Sequence, residues 1–229
     1  MQPTWTLLES LRRVDRRTES RRLWRLFLVV AAAHICAGLL YQHVVWTEDV
    51  LRTIFPSLTG GVRMEESLAS MRTMSLLGYI TLPFLLWLRV AAVALMLQFG
   101  FLLMWVEVPF LRLFRILTWA SLTGAAMICV RTWLFAYAPP YEITASALVL
   151  PPFSLADIVG IDSYTAPARV VLENANLFEG AWLFVVWKGI CKTERIGWSD
   201  VGIVVLVAWC VMLLAQVTIV WFFGGGISE

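Results

Sequence analysis

Residues 74–137 read MSLLGYITLPFLLWLRVAAVALMLQFGFLLMWVEVPFLRLFRILTWASLTGAAMICVRTWLFAY, apolar almost throughout. The interruption is a short polar hinge from Glu107 to Arg115. A helix needs about 20 apolar residues to cross a bilayer, and this stretch supplies two such runs. It reads as two membrane-spanning helices joined by a tight turn. Each run carries one arginine, Arg89 and Arg131. In an antiparallel pair both are expected at similar depth, on the side away from the hinge.

The rest of the chain has the same character. Of 229 residues, 60% are hydrophobic and 15% charged, and the mean hydropathy is +0.77. A soluble domain is nearer half apolar and a quarter charged. The expected class is all-α: a polytopic membrane protein with five transmembrane helices, preceded by an N-terminal amphipathic helix. The net charge is only +2, so where the charges sit says more than their sum. Four cysteines, Cys36, Cys129, Cys191 and Cys210, fall in or beside apolar runs without a Cys-x-x-Cys pair. They are expected to be free thiols, which behave as small apolar side chains. No disulfide framework or zinc site is indicated.

Residues 1–25 form an arginine-rich leader. Thr6-Leu-Leu-Glu9 has the form of a capping box, in which each side chain satisfies a free backbone N–H. Leu7, Leu8, Leu11 and Val14 recur at helical spacing, with Arg12, Arg13, Arg16 and Arg17 between and beyond them. The pattern fits an amphipathic helix on an anionic membrane surface. It equally fits a solvated basic helix that only sets topology. Nucleic acid is not an expected partner, because a basic helix beside a membrane span accounts for the arginines.

Residues 26–223 form the membrane domain, with spans expected at about 26–46, 82–105, 116–137, 176–192 and 201–223, and a short tail at 224–229. Pro83 is expected in the first turn of the second span, where its missing N–H costs nothing. Surface helix 63–73 leads into that span. Ala120, Ser121, Gly124 and Ala125 allow close helix contact in the third. Prolines 139, 140, 151, 152 and 167 break up the long connection after it, and Phe153 to Ile161 is apolar enough to dip into the interface. Asn174 or Asn176 is placed to cap the fourth span. The leader, the hinge and the turn after span four together hold twelve basic residues, against four on the other side. Positive charge favours the cytoplasmic face. The N-terminus is therefore expected in the cytoplasm and the C-terminus outside, in a membrane read as a bacterial inner membrane. Trp24, Trp46, Trp105, Trp198 and Trp221 fall at span ends, as aromatic belts do.

The candidate site residues are Arg89, Arg131 and Glu179. An arginine within a span costs several kcal/mol unless it finds a partner or water. Glu179 begins span four on the expected outer side, preceded by Asp162 and Glu173. An outward polar cluster of Arg89, Arg131 and Glu179 is expected. It reads as a structural ion-pair network, or as a site for an anionic ligand, a lipid headgroup or the acid of another subunit. His34, near the middle of span one, reads as a packing histidine with a backbone partner. Haem ligation needs a second axial ligand, and the only other histidine is His43 on the same span. There is no Gly-rich phosphate loop, no His-Glu-x-x-His and no Gly-x-Ser-x-Gly. No catalytic residue, metal or cofactor is expected.

Three stretches carry a likeness to a known family. Met64 to Met71 runs as a surface helix toward Leu82-Pro83. Phe110 to Gly124 is a polar hinge and small-residue span. Asn176-Leu177-Phe178 opens span four, followed by the basic turn from Gly189 to Trp198 and span five. Over roughly residues 20–223 this pattern resembles the Yip1-domain family of five-span membrane proteins. The resemblance implies a binding or trafficking role and no catalytic residues.

The first expectation is thus a non-enzymatic accessory or scaffold subunit of a larger membrane complex. Its expected partners are membrane lipids, including anionic headgroups, and other membrane subunits. The alternative is a transporter or channel component moving a small anion or lipid past Arg89 and Arg131.

Overall fold

In the computed structural model, which describes residues 5–54, 61–139, 143–144, 147–148, 150–159, 164–194 and 196–224, the leader does not stop before the first span. Both belong to one helix, α1 (Trp5–Val45). The backbone has no strong reason to break there: residues 5–45 contain neither proline nor a turn pair, and Gly38 is their only glycine. Arg12, Arg13, Arg16 and Arg17 ride on the first turns of α1, and their side chains lie outside the described residues. A short helix, α2 (Glu48–Ile54), follows.

The next helix, α3 (Gly61–Leu103), is continuous for 43 residues and carries Pro83 inside it. This corrects the expected start of the second span at Leu82. Pro83 sits mid-helix, where it removes one backbone hydrogen bond. In apolar surroundings such a loss is tolerated when Ser or Thr hydroxyls and neighbouring helices support the local backbone. Thr81 hydrogen-bonds the carbonyls of Leu77 and Gly78, each at 3.1 Å, one turn before the proline. The helix ends in a Schellman motif: the Val106 N–H donates to the Phe101 carbonyl and the Trp105 N–H to the Leu102 carbonyl, both at 3.0 Å. Trp105 occupies the left-handed position at φ 59°, a place usually taken by glycine.

After the hinge, α4 (Phe110–Ala120) and α5 (Leu122–Tyr137) form one path with a break at Ser121. The break is shallow, because Ser121 keeps right-handed angles (φ −64°, ψ −13°). A tightened turn marks it, with the Gly124 N–H donating to the Ser121 carbonyl at 3.0 Å. The long connection contains α6 (Leu155–Val159), and α7 (Ala166–Asn174), α8 (Leu177–Glu194) and α9 (Trp198–Gly224) complete the chain. Among the described residues there is no strand, only an isolated bridge between Ser154 and Asn176. The segment Phe153 to Ile161 is described as far as Val159; Glu142 and Asp162 lie outside the described residues.

Among the described residues, four segments are long and apolar enough to cross a membrane: Ser20–Val45, Thr73–Leu103, Phe110–Tyr137 and Trp198–Phe223. The protein is thus all-helical, with the makings of an integral membrane protein. The expected fourth span at 176–192 is not among these segments. Its helix α8 is only 18 residues long and carries Glu179, Lys188, Lys192 and Glu194.

Side-chain contacts give the directions. His34 of α1 lies beside Gly124 of α5, and Tyr41 beside Phe135, so these two helices run parallel. Gln42 of α1 meets Ser75 of α3, while Gly38 approaches Tyr79, so that pair runs antiparallel. Ile116 of α4 packs on Gly189 of α8, and Gly100 of α3 on Val204 of α9. The densest core lies toward the hinge end. Val30, Leu97, Phe101, Leu113, Leu117, Val186, Ile190 and Val201 are each at most 2% exposed there. Arg112 closes that end with an ion pair to Glu194 at 3.0 Å. At the far end a groove of about 880 Å³ runs beside the α1–α3 contact, lined by Tyr41, Gln42 and Tyr79 among others.

Candidate functional site

The fourth segment explains itself when α7 and α8 are followed along α9. Asn174 at the end of α7 donates from Nδ2 to Gln216 Oε1 at 2.9 Å. Further along, Glu179 meets Trp209. Further still, Trp187 packs on Gly202 and donates from Nε1 to the Trp198 carbonyl at 2.9 Å. The antiparallel register against α9 is thus kept across the junction. The two helices form one interrupted rod from Ala166 to Glu194, broken at Ala175 and Asn176.

The break is held by polar groups. The Asn176 carboxamide oxygen accepts the Glu179 N–H at 2.8 Å and so caps α8, as expected from its sequence position. Its Nδ2 donates to the Glu173 carbonyl at 2.9 Å. The freed Ala175 carbonyl accepts the Leu155 N–H at 3.0 Å. Ser154 is fully buried, and its hydroxyl accepts the Asp157 N–H at 3.1 Å to start α6. Broken backbone inside a membrane protein needs such partners, since lipid offers none.

This break faces the shallower one at Ser121, and between them lies a pocket of about 100 Å³. Ser121, Thr123 and Gly124 line one wall, and Asn176, Phe178, Glu179 and Trp182 the other. His34 comes in from α1 and Arg89 from α3, above an apolar floor of Leu86, Val93 and Leu117. His34 is 9% exposed and bonds through Nδ1 to the Val30 carbonyl at 2.9 Å, the arrangement of a packing histidine. Its Nε2 points toward Gly124, where an added Cβ would lie 3.2 Å away.

Depth gives the pocket its meaning. His34, Arg89 and Gly124 each fall within two residues of the midpoint of their apolar segments, and Trp209, level with Glu179, does so on α9. The charged pair therefore sits at the centre of the spans. This corrects the expected place of Arg89 on the side away from the hinge. That expectation followed from starting the span at Pro83, whereas the apolar helix begins at Thr73. Arg89 and Glu179 interact electrostatically, and they face each other across the pocket without a contact ion pair. Arg89 is an exposed residue, so the pocket opens sideways past it.

The structure does not bring Arg131 into this group. Arg131 lies two turns further along α5 than Gly124, about 10 Å at 1.5 Å per residue. Its Nη2 donates to the Leu148 carbonyl and, at 3.2 Å, to that of Ala147. The guanidinium lies over the rings of Tyr41, at 5.5 Å, and Phe135, at 5.9 Å. Its buried Nε has no hydrogen-bond partner among the described residues. The expected three-residue cluster is therefore a pair, Arg89 with Glu179, and a separate latch at Arg131. Glu173 is also engaged elsewhere, paired with Arg169 at 2.8 Å.

Ser121 and Asn176 matter more than sequence reading suggested, the first as a helix break and the second as the hinge of an interrupted rod. The available signal was two asparagines, Asn174 and Asn176, in front of an apolar run. No protein-family model matches this chain, and no characterised protein or solved structure is significantly similar to it.

Proposed function

We propose that this chain is a non-enzymatic, five-span integral membrane protein that moves a small monovalent anion across the bilayer through the gap between Arg89 and Glu179. One observation carries the reading: two interrupted helices meet at a charged pocket in the middle of the spans. Interrupted helices at mid-depth are how many transporters expose backbone dipoles and polar groups to a substrate. The fifth crossing is the rod from Ala166 to Glu194, supported by its unbroken register against α9. A free guanidinium is the natural anchor for an anion. The pocket's volume suits a halide, nitrate or formate better than a lipid headgroup. With the basic hinge segments facing the cytoplasm, the densest core lies inside and the groove around Tyr41 outside.

The test is flux in proteoliposomes of purified protein, loaded in turn with chloride, nitrate, thiocyanate and formate. The expected result is release of at least one of these well above protein-free vesicles, with Arg89→Gln reducing it at least tenfold. Equal release from wild type and Arg89→Gln sinks the reading.

A second reading, the accessory subunit of a membrane complex, is favoured by the exposure of Arg89. A mid-depth arginine open to lipid costs several kcal/mol, and a carboxylate on a partner helix would cover it. That reading keeps company with the Yip1-domain resemblance, supported by the Asn176-Leu177-Phe178 start and the basic turn after it. Purification in mild detergent from the native membrane decides it: a stoichiometric protein partner lost with Arg89→Gln supports the subunit, and recovery of the chain alone removes it.

A further inference from the structure

We propose that Glu179 is a proton carrier, so that each anion bound at Arg89 brings one proton onto the Glu179 carboxylate and the pair crosses together without net charge. This rests on the anion-transport reading above and names its coupling. A charge count over the elements around the pocket carries it. From α3 comes one cation, Arg89, and from α8 one anion, Glu179. Helix α1 contributes His34, whose Nδ1 is committed to the Val30 carbonyl. The α4–α5 path contributes Ser121 and Thr123, which carry no charge. Helix α9 contributes the Trp209 indole, a donor only. The nearest charges on α7, Arg169 and Glu173, neutralise each other. With His34 as a neutral imidazole, the two charges that line the empty pocket among the described residues, Arg89 and Glu179, cancel.

An added monovalent anion leaves that pocket with one net negative charge at the centre of the spans. An uncompensated charge there costs several kcal/mol. One proton on Glu179 removes the excess and leaves Arg89 paired with the anion. The neutral acid keeps a carbonyl oxygen for the Trp209 N–H and gains an O–H that can donate into the pocket. Because Arg89 and Glu179 stand apart across a cavity, there is room for the anion between them without first pulling apart a contact pair. Binding of anion and of proton then favour each other equally, as linkage requires. Above the carboxyl's own titration range, each unit rise in pH weakens anion binding about tenfold.

The experiment uses full-length protein in liposomes holding a pH-sensitive dye, with equal pH on both sides and an inward gradient of chloride, nitrate, thiocyanate or formate, each read as the excess over protein-free vesicles because formic acid crosses lipid unaided. Wild type is expected to acidify the lumen with one proton per anion, at a rate unaffected by a valinomycin-clamped potential. Glu179→Gln is expected to stop the acidification and to leave only charge-carrying anion movement that follows the potential. It should also bind anion more than tenfold tighter than wild type at pH 8, with little dependence on pH. Glu179→Asp, which keeps the carboxyl, should retain coupling and serves as the control for folding. Anion movement by wild type that carries charge and no proton overturns the coupling while the transport reading stands. Persistence of one-to-one proton uptake in Glu179→Gln does the same. No movement of any of the four anions removes both.

Discussion

Arg131 shows how one residue can satisfy a membrane's demand on a charge without belonging to a site. Its guanidinium lies over the adjoining rings of Tyr41 and Phe135 and holds the chain at residues 147–148. Hydrogen bonds from a charged group are worth about 1.5–3 kcal/mol each way they are measured. Arg131→Gln should therefore lower stability by about that amount. It should also speed hydrogen exchange at residues 150–159, while anion flux stays near wild type, since Arg131 does not line the mid-depth pocket. Exchange mass spectrometry of nanodisc samples reads this. Unchanged protection at 150–159 would show that the latch holds nothing. Arg131→Lys should recover only part of the protection, because an ammonium lacks the planar fork that reaches two carbonyls and stacks on rings. Asn176 tests the break in the rod. Asn176→Ala removes the cap of α8 and a bond to the Glu173 carbonyl. A loss of about 1 kcal/mol is expected from the cap, with a larger effect on flux than on thermal stability. Equal losses in both would mean that the break is only a packing feature.

At the level of helices, close approach is set by small residues. A Cβ on Gly189 would lie 2.7 Å from Ile116 Cγ2, a branch methyl that cannot swing away. Gly189→Val should cost about 1–3 kcal/mol through overpacking between α4 and α8. Adding Ile116→Ala should restore a good part of it, because the methyl that clashes is gone. Thermal melts of both variants decide the matter, and equal melting of the single and double variants would place the strain elsewhere. The chain's helical class and most of its span centres were legible in the sequence, because a run of 20 apolar residues has few other fates. Arg89 and Glu179 were legible as partners for the same reason: isolated charges in apolar runs must find company. Three things were not. Proline at 83 reads as a helix start, yet neighbouring helical turns carry α3 through it. The seven-residue offset of Arg131 from Gly124 places it on another level, and only the packing of α5 against α1 shows this. The interruption at Ala175 and Asn176 hides because α7 is too polar to read as part of a span, although α9 holds it in line.

For the molecule as a whole, the question is whether the interrupted rod crosses the membrane. Length argues that it does. From Ala166 to Glu194 a rod rising 1.5 Å per residue covers about 40 Å, more than the roughly 30 Å hydrocarbon core. Helix α8 alone covers about 27 Å. Charge agrees, since Lys188, Lys192 and Glu194 cluster at the hinge end, beside Arg112, where the basic leader also enters. Thr165 directly precedes the rod and Ser199 opens α9 just after it, and both are exposed. With Cys36, Cys129, Cys191 and Cys210 replaced by alanine, Thr165→Cys and Ser199→Cys give single reporters for a membrane-impermeant maleimide. A crossing rod predicts that the two are labelled from opposite faces, Ser199→Cys from the face that also exposes the leader. Labelling of both from one face would leave four spans and lay the rod on the surface. The pocket would then lose its wall at mid-depth, because Asn176 and Glu179 could not stand level with Arg89 and His34. Accessibility at these two positions therefore bears on the site as directly as any substitution within it.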